Sequence, residues 1–277
     1  MYPRIQDLIS QLARLHLDAY LVTNDINIQY LTHFPASESW LLISPPRSYY
    51  ITDFRYMHEA EKGLKGISVH KYNQSLMETI FRICLRRSIK SLGFDDRHLT
   101  LAQFKKLKQG APPGIRLQAK NHIIESMREV KTREEIELIR KALQINLKAF
   151  QFIQKYIRPG VSENQVLEKL ERFVKFHKVK FSFNPIVASG PHSSYPHAQV
   201  TDRKIKNHEP VLIDMGIDRE GYKSDLTRMF FLGKIPRLLH EINTLVASAQ
   251  KKAIQKNQGQ RKSLNGRSSG SQLSCTT

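Results

Sequence analysis

Two apolar runs separated by a short polar stretch are the feature that most constrains how this chain folds. They span Val211–Met215 and Leu226–Leu232, and Gly221 lies between them. Glycine readily adopts the positive φ of a tight turn, so this pattern is typical of a β-hairpin. The sequence therefore predicts two antiparallel strands.

An aspartate accompanies each predicted strand, Asp214 in the first and Asp225 directly before the second run. With a turn centred between Arg219 and Glu220, antiparallel pairing places these carboxylates opposite each other, roughly 5 Å apart. Like charges in apolar strands need a cation between them, or a proton on one of them. The spacing also suits a pair of divalent metals, commonly about 3.5–4 Å apart. The alternative is that one aspartate only flanks the turn or faces solvent.

The residues around both aspartates resemble a known family. LIDMG, which ends at Gly216, and GYKSDLTRMF, which ends at Phe230, are similar to the first two metal-ligand motifs of the creatinase/prolidase metallopeptidases. The catalytic domain of that family has the pita-bread fold. The resemblance implies two divalent metal ions (manganese, cobalt or zinc), with Asp214 on one metal and Asp225 bridging both.

A histidine between the predicted strands also resembles a family residue. His197 lies in the sequence YPHA. A histidine beside a proline is usually an ordinary loop residue, but the resemblance implies that His197 lies beside the metals, contacts substrate and moves protons. We therefore take His197 as the candidate catalytic residue, and we interpret the nearby His192 as a solvent-facing loop residue.

The remaining metal ligands of the family are missing from this sequence. The family site takes five ligands, namely two Asp, one His and two Glu. After Asp225 the chain contains one His, one Glu and no Asp, and these are the adjacent His240 and Glu241. Neighbours in a helix point about 100° apart, so we interpret both as part of a solvated helix face. The expectation is a truncated pita-bread domain that lacks three of the five ligands.

The first part of the chain alternates predicted helices and strands, which indicates an α/β domain. Residues 4–16 space their apolar side chains at helical intervals, and Trp40–Ile43 with Ser48–Thr52 reads as a hairpin. DAYLVTNDINIQYLTHF and YYITDFRY resemble the N-terminal domain of prolidases and aminopeptidases P. The resemblance implies a domain that supports dimerisation and narrows the entrance to the active site, without supplying a metal ligand.

Sequence breakers and composition set the predicted domain boundaries. Gly110–Gly114 interrupts the α/β pattern, and the final stretch is polar, basic and aperiodic, a composition that cannot bury enough apolar surface to fold. The predicted order is an α/β creatinase-like N-terminal domain at 1–120, a linker at 121–131, an α+β partial pita-bread domain at 132–256 and a disordered basic tail at 257–277.

Charge, cysteine content and hydropathy bear on the partners and the location of this protein. The formal net charge of +19 is spread along the chain without a recognisable nucleic-acid-binding signature, so we interpret it as a solvated basic surface and expect no specific nucleic acid partner. The two cysteines, Cys84 and Cys275, suggest no disulfide framework. No apolar run is long enough to cross a bilayer, and no signal-peptide core is present. The prediction is a cytoplasmic protein without a membrane partner.

Two functional hypotheses follow, in addition to nucleic-acid binding, which only the net charge favours. The first is a metallopeptidase of the Xaa-Pro dipeptidase or aminopeptidase P type, which takes a proline-containing dipeptide or peptide N-terminus. In this form the chain is expected to be inactive, because ligands are missing. The alternative is a non-catalytic remnant or binding module that pairs through its N-terminal domain, as a homodimer or with an intact homologue.

Overall fold

The computed structural model describes residues 2–265, and the side chains of residues 2–256. It divides the chain into two compact units, Met1–Ile136 and Glu137–Thr277. Within residues 2–265, none of the helices combines the length and apolar character that a membrane crossing requires.

The first unit is a six-stranded sheet flanked by helices. Its elements are α1 Pro3–Arg14, β1 Ala19–Val22, α2 Asp25–Thr32, β2 Ser39–Ile43, β3 Tyr49–Thr52, α3 Met57–Gly63, β4 Ser68–Lys71, α4 Leu76–Arg86, β5 Ser91–Phe94, α5 Leu101–Gly110, β6 Arg116–Ala119 and α6 Ile123–Glu129. The strand order is β4-β3-β2-β1-β5-β6. The strands β1 to β3 pair antiparallel and the outer strands pair parallel. The predicted α/β domain and its β2–β3 hairpin are confirmed.

Both faces of this sheet are buried. Alternate residues of β1 enter different cores, Tyr20 with Leu8 of α1 and Leu21 with Ile80 of α4. Because side chains alternate along a strand, a strand buried on both faces must be apolar throughout, as β1 is.

The segment 121–131, predicted to be a linker, contains α6 and packs within the first unit. Ile124 is buried in the core beside α1 and α2. Asn27 of α2 donates its Nδ2 to the Glu125 carboxylate at 2.7 Å, and the Tyr30 hydroxyl donates to the Met127 carbonyl at 3.1 Å. The division between the units accordingly falls at residue 136 instead of in this segment.

The second unit contains two small sheets. Its elements are α7 Arg133–Gln154, α8 Glu163–Phe176, β7 Lys180–Phe181, β8 Ile186–Ser189, a 3₁₀ helix Gly190–Ser194, β9 Pro210–Met215, β10 Ile217–Arg219, β11 Tyr222–Lys223, β12 Leu226–Phe231 and α9 Arg237–Asn265. The strand orders are β12-β9-β8 and β11-β10-β7. The predicted disordered tail differs from this description, because α9 continues to Asn265; residues 266–277 lie outside the described part of the chain.

The helices α7 and α8 cover one face of the sheet β12-β9-β8. Ile153 and Leu170 from these helices pack in one core with alternate residues of β9, namely Val211, Ile213 and Met215. Alternation along β9 leaves Asp214 on the other face of the sheet. A capping box formed by Ser162 and Gln165 starts α8.

We predict that residues 2–136 fold alone and are more stable than residues 2–120. The shorter fragment lacks Ile124, and leaving one large apolar side chain unburied costs roughly 1.5–3 kcal/mol. Urea unfolding followed by circular dichroism measures the difference. In the longer fragment, Ile124→Ala is expected to cost about 2–5 kcal/mol, whereas Val130→Ser, at a residue that is 80% exposed, should cost little. Equal unfolding midpoints for the two fragments would show that α6 contributes nothing.

Candidate functional site

The predicted register of the aspartate hairpin is wrong by two residues. Asp214 pairs with Thr227, so Asp225 does not lie opposite it. The turn centres between Glu220 and Gly221, and both have positive φ, 57° and 86°. Two consecutive residues of positive φ are typical of a type I′ turn. The sequence concealed this turn because glutamate rarely adopts positive φ.

In the observed register the two aspartates become diagonal neighbours. Because side chains alternate along a strand, we expect Asp225, two residues before Thr227, on the face that carries Asp214. Diagonal positions are roughly 7–8 Å apart, compared with roughly 5 Å for directly opposed ones. Asp214 is half-buried and accepts a hydrogen bond from the Thr227 hydroxyl at 2.8 Å, whereas Asp225 is exposed. One carboxylate is therefore oriented by a neighbour, and the other is open to a ligand.

A buried amide joins the backbone next to both aspartates. Asn146 of α7 is fully buried, and its Nδ2 donates to the Met215 carbonyl at 3.0 Å and to the Ser224 Oγ at 3.1 Å. Met215 follows Asp214 and Ser224 precedes Asp225. A single side chain thus holds the two strand ends that carry the candidate ligands.

Close approach of the backbone explains the glycine of the LIDMG motif. A Cβ on Gly216 would overlap with the Ser224 carbonyl oxygen and the Ser182 Oγ. Ser182 also donates its hydroxyl to that carbonyl at 3.0 Å. Any larger residue at position 216 would therefore separate the segment after Asp214 from the segment before Asp225.

The loop that carries His197 is held by a buried carboxylate. His197 itself is exposed in a turn. The carboxylate belongs to Glu163, which is fully buried at the start of α8. Its Oε1 accepts from the N–H and the hydroxyl of Ser189, both at 2.8 Å. Its Oε2 accepts from the N–H and the hydroxyl of Thr201 at 3.2 and 2.7 Å.

His192 also joins this group, so the prediction that it merely faces solvent is wrong. Its Nδ1 lies 3.2 Å from the Glu163 carboxylate. Sequence reasoning missed Glu163 as well, because it reads as one more acid in the first turn of a helix. Its partners lie 26 to 38 residues further along the chain, where no local pattern connects them.

An ion pair between Arg203 and Glu209 also holds the segment between β8 and β9. The Arg203 guanidinium donates to both oxygens of Glu209, at 2.7 and 2.6 Å, and to the Ser189 hydroxyl at 2.6 Å. Gly190 has a φ of 51°, and a Cβ there would overlap with the Glu209 carboxylate. Paired, bidentate contacts of this kind position the segment between β8 and β9.

Both carboxylates stay charged although they are buried. Burial raises the pKa of Glu163, but hydrogen bonds from Thr201, Ser189 and His192 outweigh it, so its pKa lies below the ordinary value of 4.5. Burial likewise raises the pKa of Glu209, and the Arg203 contacts outweigh that effect, so its pKa is also lowered. The loop is therefore built around ionised groups.

A separate group of potential metal ligands lies in the first unit. Ligand atoms of Asp95, His98 and Glu125 lie within 4.8 Å of one another. The Arg97 Nη2 already lies 2.9 Å from the Asp95 carboxylate and 2.8 Å from that of Glu125. Burial raises the pKa of Glu125, but the bonds from Asn27 and His98 and the Arg97 charge hold it at about 2. The Arg97 guanidinium thus already bridges two of the three potential ligands.

The residues present do not fit a complete dinuclear metal centre. Among residues 2–256, no group of three His, Cys, Asp or Glu side chains that could hold a metal includes Asp214 or Asp225. His240 and Glu241 are exposed on α9, and Glu241 pairs with Arg237 at 2.7 Å. A divalent ion needs four or more protein or water ligands, so two carboxylates supply only part of a site for two ions.

Acid is expected to loosen the second unit below pH 4.5. A carboxyl whose pKa is lowered by folding contributes stability that is present above its unfolded pKa and is lost as the pH falls through the folded pKa. We predict that Glu209→Gln reduces the loss of unfolding free energy between pH 5 and pH 3, by about 1.4 kcal/mol for each unit of pKa depression removed. Glu168→Gln, on the exposed face of α8, is the matched control. An unchanged pH dependence in Glu209→Gln would contradict the prediction.

Two family models match the chain in succession. The model of the creatinase/prolidase N-terminal domain matches residues 4–130, and the model of metallopeptidase family M24 matches residues 137–262. Together they cover both structural units, in the order that the sequence predicted.

Curated relatives match over most of the chain. The uncharacterized peptidase YqhT of Bacillus subtilis is 32% identical over 248 residues, which cover 89% of this chain and 70% of the relative. The Xaa-Pro dipeptidase of Pyrococcus horikoshii is 30% identical over 259 residues, which cover 92% of this chain and 71% of the relative. The chain thus spans about 70% of the length of these relatives.

Solved structures show the same architecture. The Xaa-Pro dipeptidase from Bacillus anthracis superposes with a TM-score of 0.83 at 32% identity, over 90% of this chain and 70% of that one. The prolidase from Pyrococcus horikoshii superposes with a TM-score of 0.80 at 28% identity, over 91% of this chain and 71% of that one. With its N-terminal creatinase-like domain followed by part of a pita-bread domain, this chain belongs to the creatinase/prolidase metallopeptidases of family M24.

Proposed function

We propose that this chain is a metallopeptidase polypeptide of the Xaa-Pro dipeptidase type, which by itself does not complete the catalytic centre. Its substrate class would be a proline-containing dipeptide or the N-terminus of a peptide with proline in second position. The names of the relatives from Pyrococcus horikoshii and Bacillus anthracis support this substrate class.

The placement of Asp214 carries the proposal. It lies on the central strand of the sheet β12-β9-β8, on the face opposite the core formed with α7 and α8. Thr227 orients its carboxylate, and Asn146 and Gly216 bring the backbone next to Asp225 close to it. A hydrogen-bonded carboxylate on the sheet face away from the core is suited to ligand binding and contributes little to the core.

Each candidate residue has a proposed role. Asp214 would ligate one divalent metal, Asp225 would lie between two, and His197 would contact the substrate. A bound metal pair would supply an activated water for amide hydrolysis. Because the described residues offer only these two carboxylates near that position, we propose that the 277-residue polypeptide lacks hydrolytic activity and holds manganese, cobalt or zinc only weakly.

The activity prediction is that Xaa-Pro dipeptides are cleaved no faster than in buffer when manganese, cobalt or zinc is added. Too few ligands are present to hold the metals and the water in place. The Xaa-Pro dipeptidase from Bacillus anthracis, assayed in parallel, is the positive control. Turnover above background that Asp225→Asn abolishes would contradict the proposed inactivity, and would mean that further ligands come from elsewhere.

Metal binding can be tested without activity. Mn²⁺ added to ¹⁵N-labelled protein should broaden the amide signals of residues 213–216 and 224–227, because a paramagnetic ion acts on nearby nuclei. We expect Asp214→Asn and Asp225→Asn to abolish this broadening, and Asp218→Asn, in the adjacent strand β10, to leave it unchanged. Broadening that survives both substitutions, or that centres on the Asp95 group, would overturn the assignment of the hairpin as the metal site.

The alternative function is a non-catalytic binding module that pairs through its N-terminal domain. The observation that favours it is that the first unit has two apolar cores of its own, while no group of three potential metal ligands among residues 2–256 includes either hairpin aspartate. Size-exclusion chromatography with light scattering of the whole chain and of residues 2–136 tests it. A dimer of both supports pairing through this domain, and monomers of both exclude a homodimer.

We propose that the protein is located in the cytoplasm. The free, buried thiol of Cys84 is compatible with that reducing compartment.

A further inference from the structure

Glu163 connects the two ends of the loop that carries His197. Each of its carboxylate oxygens holds a different end. Oε1 accepts from Ser189, where β8 ends, and Oε2 accepts from Thr201 and His192. His197 lies between these attachment points in the sequence.

Ser189, which donates to Glu163, also pairs with the strand that carries Asp214. Ser189 pairs with Val211 on β9, three residues before Asp214. The Arg203–Glu209 pair contributes at the same point, because Arg203 donates to the Ser189 hydroxyl at 2.6 Å. Ser189 thus links the His197 loop to β9.

Glu163 is not needed to cap its own helix. The cap of α8 is formed by its neighbours: the Ser162 Oγ accepts from the Gln165 N–H at 3.2 Å, and the Gln165 Oε1 accepts from the Ser162 N–H at 2.9 Å. The Glu163 carboxylate is therefore free to accept its five hydrogen bonds from outside the helix. Burying a charge with no other role would be costly, so these contacts account for its presence.

We propose that Glu163 is a positioning residue, which sets where the His197 loop lies relative to the Asp214 strand. This inference rests on the proposed function for the role of His197 in a peptidase site. The hydrogen bonds from Ser189, His192 and Thr201 to Glu163 are present whether or not the chain is active. A side chain with two acceptor oxygens suits this task, because each end of the loop requires its own acceptor.

The test is Glu163→Gln in the 277-residue chain. Glutamine keeps the shape but retains one acceptor oxygen, and its NH₂ group faces donors at the other end of the loop. We expect amide hydrogen exchange at Ser189 and Thr201 and across residues 192–201 to accelerate at least tenfold. We also expect the imidazole signal of His197 to shift or broaden in NMR spectra.

Other signals distinguish positioning from a general loss of stability. The amides of α8, and the imidazole of His208, which accepts from the Lys234 N–H at 2.9 Å, should stay as in the parent protein. Glu168→Gln, on the exposed face of the same helix, is the matched control. Loop amides and a His197 signal that remain unchanged would overturn the proposal, as would an equal acceleration throughout the second unit.

A second variant covers the case in which Glu163→Gln does not fold. Thr201→Val has nearly the same shape and removes only the hydroxyl that donates at 2.7 Å. It should accelerate exchange over residues 197–201 and leave Ser189 slow, and the absence of any change there would overturn the proposal. These measurements use neither metal nor substrate. Cleavage results with Xaa-Pro dipeptides therefore do not bear on the role of Glu163. Equally, unchanged hydrogen exchange in the Glu163 variants would overturn the positioning role but not the metal proposal.

Discussion

The arrangement of the second unit depends on one buried amide, the side chain of Asn146. Its Nδ2 holds the Met215 carbonyl and the Ser224 hydroxyl together, and Ser224 in turn accepts from the Ile217 N–H at 3.0 Å. A buried hydrogen-bonding group left without its partner costs about 1–3 kcal/mol, so these segments cannot separate without penalty. This contact therefore helps to set the spacing between the two aspartates of the hairpin.

In each unit, carboxylates with compensating partners fasten segments that are distant in the sequence. In the first unit, Arg97 neutralises Asp95 and Glu125 and so fastens α6 beside the end of β5. In the second, donors around Glu163 fasten the His197 loop. Removing one member of such a group leaves an uncompensated charge, which is more costly than never having buried the pair.

Apolar surface remains uncovered in the second unit. Large apolar side chains on α9, including Leu238, Leu245 and Val246, are more than 60% exposed. Each forgoes roughly 1.5–3 kcal/mol of stabilisation compared with full burial. On the face of the sheet that carries Asp214, Thr227 is exposed, whereas α7 and α8 cover the other face. The incomplete ligand set and the uncovered apolar residues thus occur in the same unit, in a chain that spans about 70% of the length of its relatives.

The sequence alone determined the parts of this protein that local patterns encode. Helical spacing, the β2–β3 hairpin and the motifs around Asp214 and Asp225 were all legible, because each depends on residues close together in the chain. Only the tertiary structure decided the hairpin register, where Glu220 takes a positive φ, and the packing of α6 within the first unit. It also decided the roles of Asn146 and Glu163, whose partners lie 26 to 78 residues away. Such contacts arise from packing between elements, and no short-range periodicity records them.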